Sequence, residues 1–219
     1  RCRRKEAPVT DNVTDPDAAA GSWRDYYEKT GARPPRETLI FALDRFDEEG
    51  LAPELKLAAD LGCGSGRDTV EIVRRGWQVL AVDAEQDAID GLRAREEIGE
   101  DAALETLTAR LQEAALPERM LINSSFVLPL IEPQDFPDLW NGILMALMPG
   151  GRISCQLYGN RDSWTGRPGM CFFTREGIEA LLNPLDIEHF REEEEDSTTP
   201  RGTAKHWHIF HIVARMPLG

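Results

Sequence analysis

The sequence predicts an α/β fold: a doubly wound, mostly parallel seven-stranded sheet with an antiparallel C-terminal hairpin and helices on both faces. From residue 51 onward, short apolar runs alternate with segments of helical periodicity. The apolar runs are nearly continuous, which is typical of parallel strands that are covered on both faces. The last two runs are separated by a charged segment without helical pattern, which favours a hairpin over a crossover connection.

Two segments precede this alternating region. Residues 1–22 are polar and lack periodicity, so we expect a disordered leader. Residues 23–50 are interpreted as an N-terminal helical cap, because a Gly-Pro turn is followed by an apolar stripe that predicts a helix over 35–50. This cap begins with three aromatic residues at helical spacing, Trp23, Tyr26 and Tyr27. Residues 51–219 form the predicted main domain.

The main domain supplies seven predicted strands with helices between them. The strands are residues 55–61, 78–82, 104–109, 120–128, 152–158, 187–192 and 205–215. The helices are residues 69–75, 88–98, 136–148 and 174–182, and Thr174 is the expected N-cap of the last. Pro149-Gly150-Gly151 is the expected turn before the fifth strand, and the charged run 193–202 is interpreted as a solvated turn.

The composition excludes several classes of function. Lys and Arg total 25 against 39 Asp and Glu, so the net charge is −14, and a nucleic-acid partner is not expected. No apolar run approaches the roughly 20 residues that cross a bilayer, so no membrane partner is expected. The four cysteines, Cys2, Cys63, Cys155 and Cys171, lie too far apart for the paired spacing of a zinc site. The positions of Cys63 in the glycine turn and Cys155 in a core strand predict buried thiols in a reducing, cytoplasmic location.

The most informative stretch is Asp60-Leu61-Gly62-Cys63-Gly64-Ser65-Gly66. Its alternate glycines let the backbone turn sharply and approach a ligand where a Cβ would collide. Asp60 precedes the turn, where its carboxylate can orient the loop or meet an ammonium group. Asp83 ends the second strand, where a carboxylate can accept both hydroxyls of a ribose. Together these features predict a nucleotide-type ligand.

Residues 60–66 and 79–84 resemble the first two motifs of the class I (Rossmann-like) S-adenosylmethionine-dependent methyltransferases. Pro149-Gly150-Gly151 is similar to the turn before that family's fifth strand. Gly66-Arg67-Asp68 looks most like the small-molecule branch that includes tellurite-resistance and thiopurine methyltransferases. The resemblance spans about residues 55–215. It implies S-adenosylmethionine as cofactor, S-adenosylhomocysteine as product, and in-line methyl transfer to a small-molecule acceptor.

The resemblance also implies a set of cofactor-binding residues. In the family an Asp after the third strand commonly receives the adenine amino group; here Gln112 or Glu113 occupies that loop. Ala84 is expected against one face of the adenine. The full expected set is Asp60, Gly62, Cys63, Gly64, Gly66, Asp83, Ala84, Gln112, Glu113, Asn123 and Ser124.

The acceptor is expected beyond the fourth and fifth strands. Base-methylating enzymes often carry Asn/Asp-Pro-Pro-aromatic after the fourth strand; the sequence 123–126 lacks the prolines, which agrees with a small acceptor. The long loop 158–170 is interpreted as a pocket wall or lid, with an ordinary surface loop as the alternative. The expected acceptor-side residues are Tyr27, Ser125, Tyr158, Arg161 and Trp164. Arg161 suits an anionic acceptor and Trp164 an aromatic one.

Two other classes of protein remain open. An NAD(P)-dependent oxidoreductase would use the same fold, although its third glycine usually follows the second by three residues and here follows by two. A non-catalytic S-adenosylmethionine-binding partner protein would lack an acceptor pocket. No metal site is expected, since His206 and His208 share a strand face without a third ligand. A monomer or a homodimer is expected, and no obligatory catalytic side chain stands out.

Overall fold

The computed structural model describes residues 33–199 and 202–219. The strands are β1 (Leu57–Leu61), β2 (Gln78–Asp83), β3 (Leu104–Thr108), β4 (Arg119–Ser124), β5 (Leu147–Tyr158), β6 (Asp186–Thr198) and β7 (Ala204–Arg215). The helices in this part of the chain are α1 (Glu37–Glu48), α2 (Thr69–Arg74), α3 (Gln86–Arg93), α4 (Phe136–Ala146) and α5 (Arg175–Leu182). The leader expected at 1–22 lies outside the described residues, as do Trp23, Tyr26 and Tyr27.

The seven strands form one sheet in the order β3-β2-β1-β4-β5-β7-β6. Strands β1 to β5 pair in parallel, and β7 runs antiparallel to both β5 and β6. The predicted fold class, including the antiparallel hairpin, is therefore confirmed. The strand order reverses between β1 and β4, which pair directly. Ligands of such sheets bind in the crevice beyond the carboxyl ends at that reversal.

Two helical layers cover the sheet. On one face α1, α2 and α3 bury apolar side chains such as Phe46 against Ala58 and Leu121. On the other face α4 and α5 bury side chains such as Trp140 against Ile153. Side chains of a strand alternate between faces, so Asp60 and Asn123, two positions after Ala58 and Leu121, also point towards α1. The side chains on the face of the sheet covered by α1 therefore change from apolar to polar towards the carboxyl ends of the strands.

The fourth strand is shorter than its apolar sequence predicts. β4 ends at Ser124, whereas the pattern predicts a strand over 120–128. Phe126 has a φ of 63°, which is uncommon for a residue other than glycine, and a 3₁₀ turn follows at Leu128–Leu130. Pro129 has no N–H to donate to a ladder. The apolar residues after Ser124 therefore belong to a turn. The apolar pattern of the sequence does not by itself distinguish a buried turn from the continuation of a strand.

The bounds of two other predicted elements also differ. β5 begins at Leu147, so Pro149-Gly150-Gly151 lies inside the strand and not before it; Gly150 has a φ of 79° there. The pairing of β4 with β5 shifts register between Arg119 and Leu121, which accommodates the irregularity. Helix α3 ends at Arg93, five residues before the predicted end at 98.

The charged run after residue 192 is a strand and not the predicted solvated turn. β6 continues to Thr198 and pairs with β7, so that Glu194 faces His208 and Asp196 faces His206. β6 is the edge of the sheet, where charged side chains discourage pairing with another chain. The sequence suggests a turn because it shows the charges, whereas their cross-strand partners become visible only in the structure.

Arg152 joins three elements on the α1 face. Its side chain is fully buried and bonds to Glu49 at the end of α1 at 2.5 Å and to Glu188 of β6 at 2.6 Å. The guanidinium carbon also lies 4.4 Å from the centre of the Phe46 ring. The hydrogen bond from Arg152 lowers the pKa of Glu49. A buried cation of this kind needs both carboxylates, because it has no water to replace them.

We expect Arg152→Ala to lower the free energy of unfolding by about 3 kcal/mol, because its glutamates lose a buried partner. Arg161→Ala is a matched control: Arg161 also bridges two glutamates, but its side chain is 50% exposed, so a loss below about 1 kcal/mol is expected. Urea unfolding followed by circular dichroism measures both. Equal losses in the two variants would contradict the importance of burial.

Candidate functional site

The glycine turn lies at the carboxyl end of β1 and is tightly packed. Gly62, Gly64 and Gly66 have φ values of 71°, 52° and 87°, a region that favours glycine. A Cβ on Gly62 would lie 2.3 Å from Val127, and one on Gly66 would lie 2.3 Å from Leu92. The glycines are therefore required both by backbone conformation and by the approach of neighbouring elements.

Asp83 ties this turn to the end of β2. One carboxylate oxygen accepts a hydrogen bond from the N–H of Gly64 at 2.8 Å, and the other accepts from the N–H of Glu85 at 3.0 Å. Burial raises the pKa of Asp83, and these N–H donors oppose that shift. A carboxylate has about four lone-pair sites, so Asp83 keeps capacity for further donors such as ribose hydroxyls.

Asp60 lies behind the turn. It is 2% exposed, and its carboxylate accepts hydrogen bonds from the Thr69 hydroxyl at 2.5 Å and from the Asn123 amide at 2.9 Å. Burial, followed by the nearby charge of Asp68, raises the pKa of Asp60 to about 7. Of the two roles considered for Asp60, these contacts favour orienting the loop over meeting an ammonium group directly.

Asp68 is a central residue that the sequence analysis did not assign to the site. Its carboxylate is 4% exposed and accepts from the backbone N–H of Arg36 at 3.0 Å, the amide of Asn123 at 3.3 Å and the hydroxyl of Ser125 at 2.6 Å. Arg67 also donates to the carbonyl of Pro34 at 2.7 Å. The sequence shows an acidic residue directly after the glycine turn. It does not show that this residue binds three groups that are distant in the chain, so its central position becomes visible only in the structure.

At the end of β4, two buried polar residues are followed by a partly exposed turn. Asn123 and Ser124 have no exposed surface, and the Ser124 hydroxyl donates to the carbonyl of Leu61 at 3.1 Å. Their side chains therefore hold the strand ends together. Ser125 is partly exposed. The ring of Phe126 follows, with the Arg36 guanidinium carbon 4.4 Å from its centre.

The expected adenine end of the site lies where β2 and β3 finish side by side. The N–H of Ala109 donates to the carbonyl of Asp83 at 2.9 Å, which holds the two strand ends together. Ala84, after β2, is exposed. Gln112 and Glu113 are exposed on the 3₁₀ turn that follows β3. Cys63, in the glycine turn, is buried with a free thiol.

An aromatic cluster covers the ends of β5 and β7. Tyr158 and Trp164 are 4% and 8% exposed, and both rings pack against Trp207. Phe126 lies 6.1 Å from Tyr158 between ring centres, which connects the cluster to the end of β4. Lys205 is buried in an ion pair with Asp162, and its ammonium lies 3.9 Å from the Trp164 ring. The loop after β5 is therefore packed as an aromatic wall beside the ends of β4 and β5.

Arg161 does not join this wall, contrary to the expectation that it faces an anionic acceptor. Its guanidinium bonds to Glu192 at 2.8 Å and to Glu194 at 2.7 Å, both on β6. Hydrogen bonds from His208 and Arg161 lower the pKa of Glu192 to about 2. The sequence shows neither the direction of the Arg161 side chain nor its partners, because Glu192 and Glu194 become neighbours of Arg161 only when β6 pairs with β7. The charge of Arg161 is already offset.

The strand histidines make structural contacts. His208 is fully buried; one ring nitrogen accepts from the Arg161 N–H at 3.1 Å and the other contacts Glu192 at 2.9 Å. His206 contacts Asp196 at 2.8 Å and Glu194 at 3.2 Å, which raise its pKa. Within 33–199 and 202–219, no three His, Cys, Asp or Glu side chains come together as metal ligands would. Among the described helices, none combines the length and apolar character that crossing a bilayer requires.

Comparisons with known proteins agree with this geometry. Residues 58–151 match the family described as a methyltransferase domain. TehB from Haemophilus influenzae has a similar structure, with a TM-score of 0.70 and 17% identity over 89% of this chain and 67% of that one. Magnesium protoporphyrin IX methyltransferase (ChlM) from Synechocystis PCC 6803, solved with bound SAM, is also similar. Its TM-score is 0.67, and its sequence is 14% identical over 97% of this chain and 100% of that one.

A third similar structure is the N-methyltransferase NodS from Bradyrhizobium japonicum WM9, with a TM-score of 0.61 and 16% identity over 80% of this chain and 92% of that one. No curated protein matches the sequence. At these identities the structures show that the chain shares their fold, and the match to the methyltransferase-domain family covers residues 58–151.

The raised pKa of Asp60 predicts a pH dependence of stability. The folded state binds more protons than the unfolded state between the usual pKa of 3.8 and about 7, so the free energy of unfolding falls as the pH rises through that window. In Asp60→Asn, the decrease in the free energy of unfolding across this pH window should be smaller than in wild type by roughly 2–4 kcal/mol. Urea unfolding at several pH values measures it, and Asp138→Asn, exposed on α4, should keep the wild-type slope. An unchanged slope in Asp60→Asn would contradict the assignment.

Proposed function

We propose that this chain, whose residues 58–151 match a methyltransferase-domain family, is an S-adenosylmethionine-dependent methyltransferase that acts on a small-molecule acceptor. The resemblance to the class I enzymes is confirmed by the family match and by the strand order of the sheet. The observation that carries the proposal is the aromatic wall beyond the ends of β4 and β5. Its members are Phe126, Tyr158, Trp164 and Trp207.

The glycine turn and its carboxylates fit this cofactor. The three glycines of the turn have positive φ and no side chain of their own, so that a ligand can approach the backbone of the turn closely. Asp60, Asp68 and Asp83 are buried within the same region. Their negative potential favours a cationic sulfonium and disfavours the pyrophosphate of a nicotinamide dinucleotide. This argues against the oxidoreductase alternative.

We assign the donor to the crevice bounded by β1, β2 and β4. The glycine turn with Cys63 would lie against its amino-acid part, and Asp83 would accept its ribose hydroxyls. Ala84 with Gln112 and Glu113 would flank the adenine. S-adenosylmethionine supplies a methyl group that is already activated by its sulfonium. The protein contributes position and exclusion of water.

The acceptor would occupy the space between Ser125 and the aromatic wall. Phe126, Tyr158 and Trp164 offer apolar ring faces that suit a flat or apolar acceptor and that exclude water. The ion pair of Lys205 with Asp162 keeps the loop after β5 in place. The three solved structures described above include two named methyltransferases, one of a porphyrin and one an N-methyltransferase. Both descriptions agree with a methyl acceptor bound at this fold's carboxyl edge.

The net charge supports a small acceptor as well. The chain carries a charge of −14, and Arg152, Arg161 and Arg175 each bond to glutamates of the same protein. A nucleic-acid acceptor would need unpaired cations to neutralise its phosphates. The described part of the site supplies carboxylates in their place.

Asp83→Ala should weaken S-adenosylmethionine binding by roughly 1.5–3 kcal/mol, or about 10- to 150-fold, because both a ligand acceptor and an anchor of the turn are lost. Isothermal titration calorimetry measures this change. Asp87→Ala is the matched control, since Asp87 is an exposed acid on the first turn of α3. Equal affinity in wild type and Asp83→Ala would remove Asp83 from the donor site.

Function itself is tested by binding and by turnover. We expect S-adenosylmethionine and S-adenosylhomocysteine to bind in calorimetry and NADH not to bind. We expect label from methyl-labelled donor to appear on at least one member of a panel of phenols, thiols, amines and carboxylates. Donor binding without transfer to any panel member would favour the non-catalytic alternative, and NADH binding alone would favour the oxidoreductase.

A further inference from the structure

Ser125 is the polar side chain between the donor crevice and the aromatic wall. It directly follows β4, is partly exposed, and donates its hydroxyl hydrogen to Asp68 at 2.6 Å. An O–H to carboxylate bond of this length is typical of a strong, charge-assisted bond. A hydroxyl has one hydrogen and two lone pairs, so Ser125 can only accept from a ligand while this bond exists. A molecule at the end of β4 therefore meets a hydrogen-bond acceptor backed by a carboxylate.

Asp68 is held for this role and is shielded from water. Its second oxygen accepts from the backbone N–H of Arg36 at 3.0 Å, and only 4% of the residue is exposed. Asp60 is the charged neighbour of Asp68 on the side of the glycine turn, and the guanidinium of Arg36 lies over the Phe126 ring. The Asp68 oxygen that accepts the Ser125 hydroxyl hydrogen is placed to take up that hydrogen.

The amide of Asn123 connects Asp68 with Asp60 and offers a place for such a proton. Its nitrogen donates to Asp60 at 2.9 Å and to Asp68 at 3.3 Å. Its oxygen is fully buried and has no hydrogen-bond partner among the described residues. A buried acceptor without a donor is costly. If one carboxyl carried a proton, rotation of the amide would give that O–H an acceptor.

We propose that Ser125 and Asp68 form a proton relay that takes the proton of an acceptor whose nucleophilic atom carries one. The inference rests on the proposed function. The acceptor's O–H, S–H or N–H hydrogen passes to the Ser125 oxygen while the Ser125 hydrogen passes to Asp68. The freed electron pair forms the bond to the methyl carbon, and the sulfur–methyl bond breaks with its pair left on sulfur. Asp68 ends as a neutral acid and returns its proton to solvent through Ser125.

The relay also defines the class of acceptor. A carboxylate or other oxyanion would be repelled by the lone pairs of Ser125 and the charge of Asp68. An un-ionised phenol, thiol or amine would instead donate a hydrogen bond to the Ser125 oxygen. Arg161, which the sequence suggested as an anion contact, is already paired with glutamates. The preferred acceptor is therefore a neutral molecule that carries a proton on its nucleophilic atom and an apolar or aromatic body.

The test compares acceptors that need a base with acceptors that do not. Wild type, Ser125→Ala and Asp68→Asn are assayed with phenol and with para-nitrophenol, and with an alkyl thiol and thiophenol, at a pH where only the second member of each pair is ionised. Both variants should lose ~100-fold or more in kcat for the un-ionised member, the usual contribution of a general base. Ser125→Ala, which leaves the carboxylate in place, should lose less than about threefold for the ionised member. Ser197→Ala and Asp138→Asn, both exposed and remote, are the controls.

A binding measurement complements turnover. Phenol titrated into the S-adenosylhomocysteine complex should bind roughly tenfold more weakly to Ser125→Ala than to wild type, because its O–H loses an acceptor. Donor affinity, measured by calorimetry, should be the same in Ser125→Ala and wild type. If Asp68→Asn does not fold, Ser125→Ala alone decides, since it leaves the bonds of Asp68 to Arg36 and Asn123 in place.

Any of four outcomes overturns the relay. Equal losses for ionised and un-ionised acceptors would make Asp68 and Ser125 merely structural, and unchanged rates for both would make them irrelevant. Unchanged phenol affinity in Ser125→Ala would remove Ser125 from acceptor contact. Wild-type protein that binds the donor and methylates no panel member would overturn the proposed function, and the relay with it. Active wild type with unaffected variants overturns the relay alone.

Discussion

The burial of three carboxylates at the carboxyl edge of the sheet is the constraint on which this site depends. Asp60, Asp68 and Asp83 are each less than a tenth exposed. An unpaired buried carboxylate is strongly unfavourable, so each must be surrounded by donors. The donors come from the glycine turn, from α2, from β4 and from the chain entering α1. Satisfying the carboxylates therefore fixes the relative positions of these elements.

This arrangement explains why the donor side of the site can be rigid without a ligand. The glycine turn is held by Asp83 from one side and is packed against Val127 and Leu92 from the others. Preorganised groups of this kind lose little on binding, because the ordering is already complete in the folded protein. In the proposed function the same carboxylates supply the negative potential that a sulfonium prefers, so that one set of residues would serve both the structure and the binding of the donor.

The sequence predicted the fold well because the signals for it are local. Strand and helix periodicities and the motif at 60–66 lie within short windows, and Thr174 caps α5 as expected, accepting from the N–H of Gly177. The misses involve contacts between distant residues. β6 looked like a turn because its partners on β7 were not known, and Arg161 looked free because its glutamates lay on that strand. Asp68 was overlooked because Ser125 and Arg36 are far away in the chain.

The two halves of the site use different physical means, and they meet at one turn. The donor half is polar and charged, with carboxylates held by backbone and amide donors. The other half, the proposed acceptor side, is aromatic, and the charges beside Trp164 are the buried Lys205–Asp162 ion pair and the guanidinium of Arg167. Ser125 belongs to the first half through Asp68, and Phe126 belongs to the second through Tyr158. Phe126, with its φ of 63°, lies at this junction, where the chain leaves β4 for the 3₁₀ turn at Leu128–Leu130.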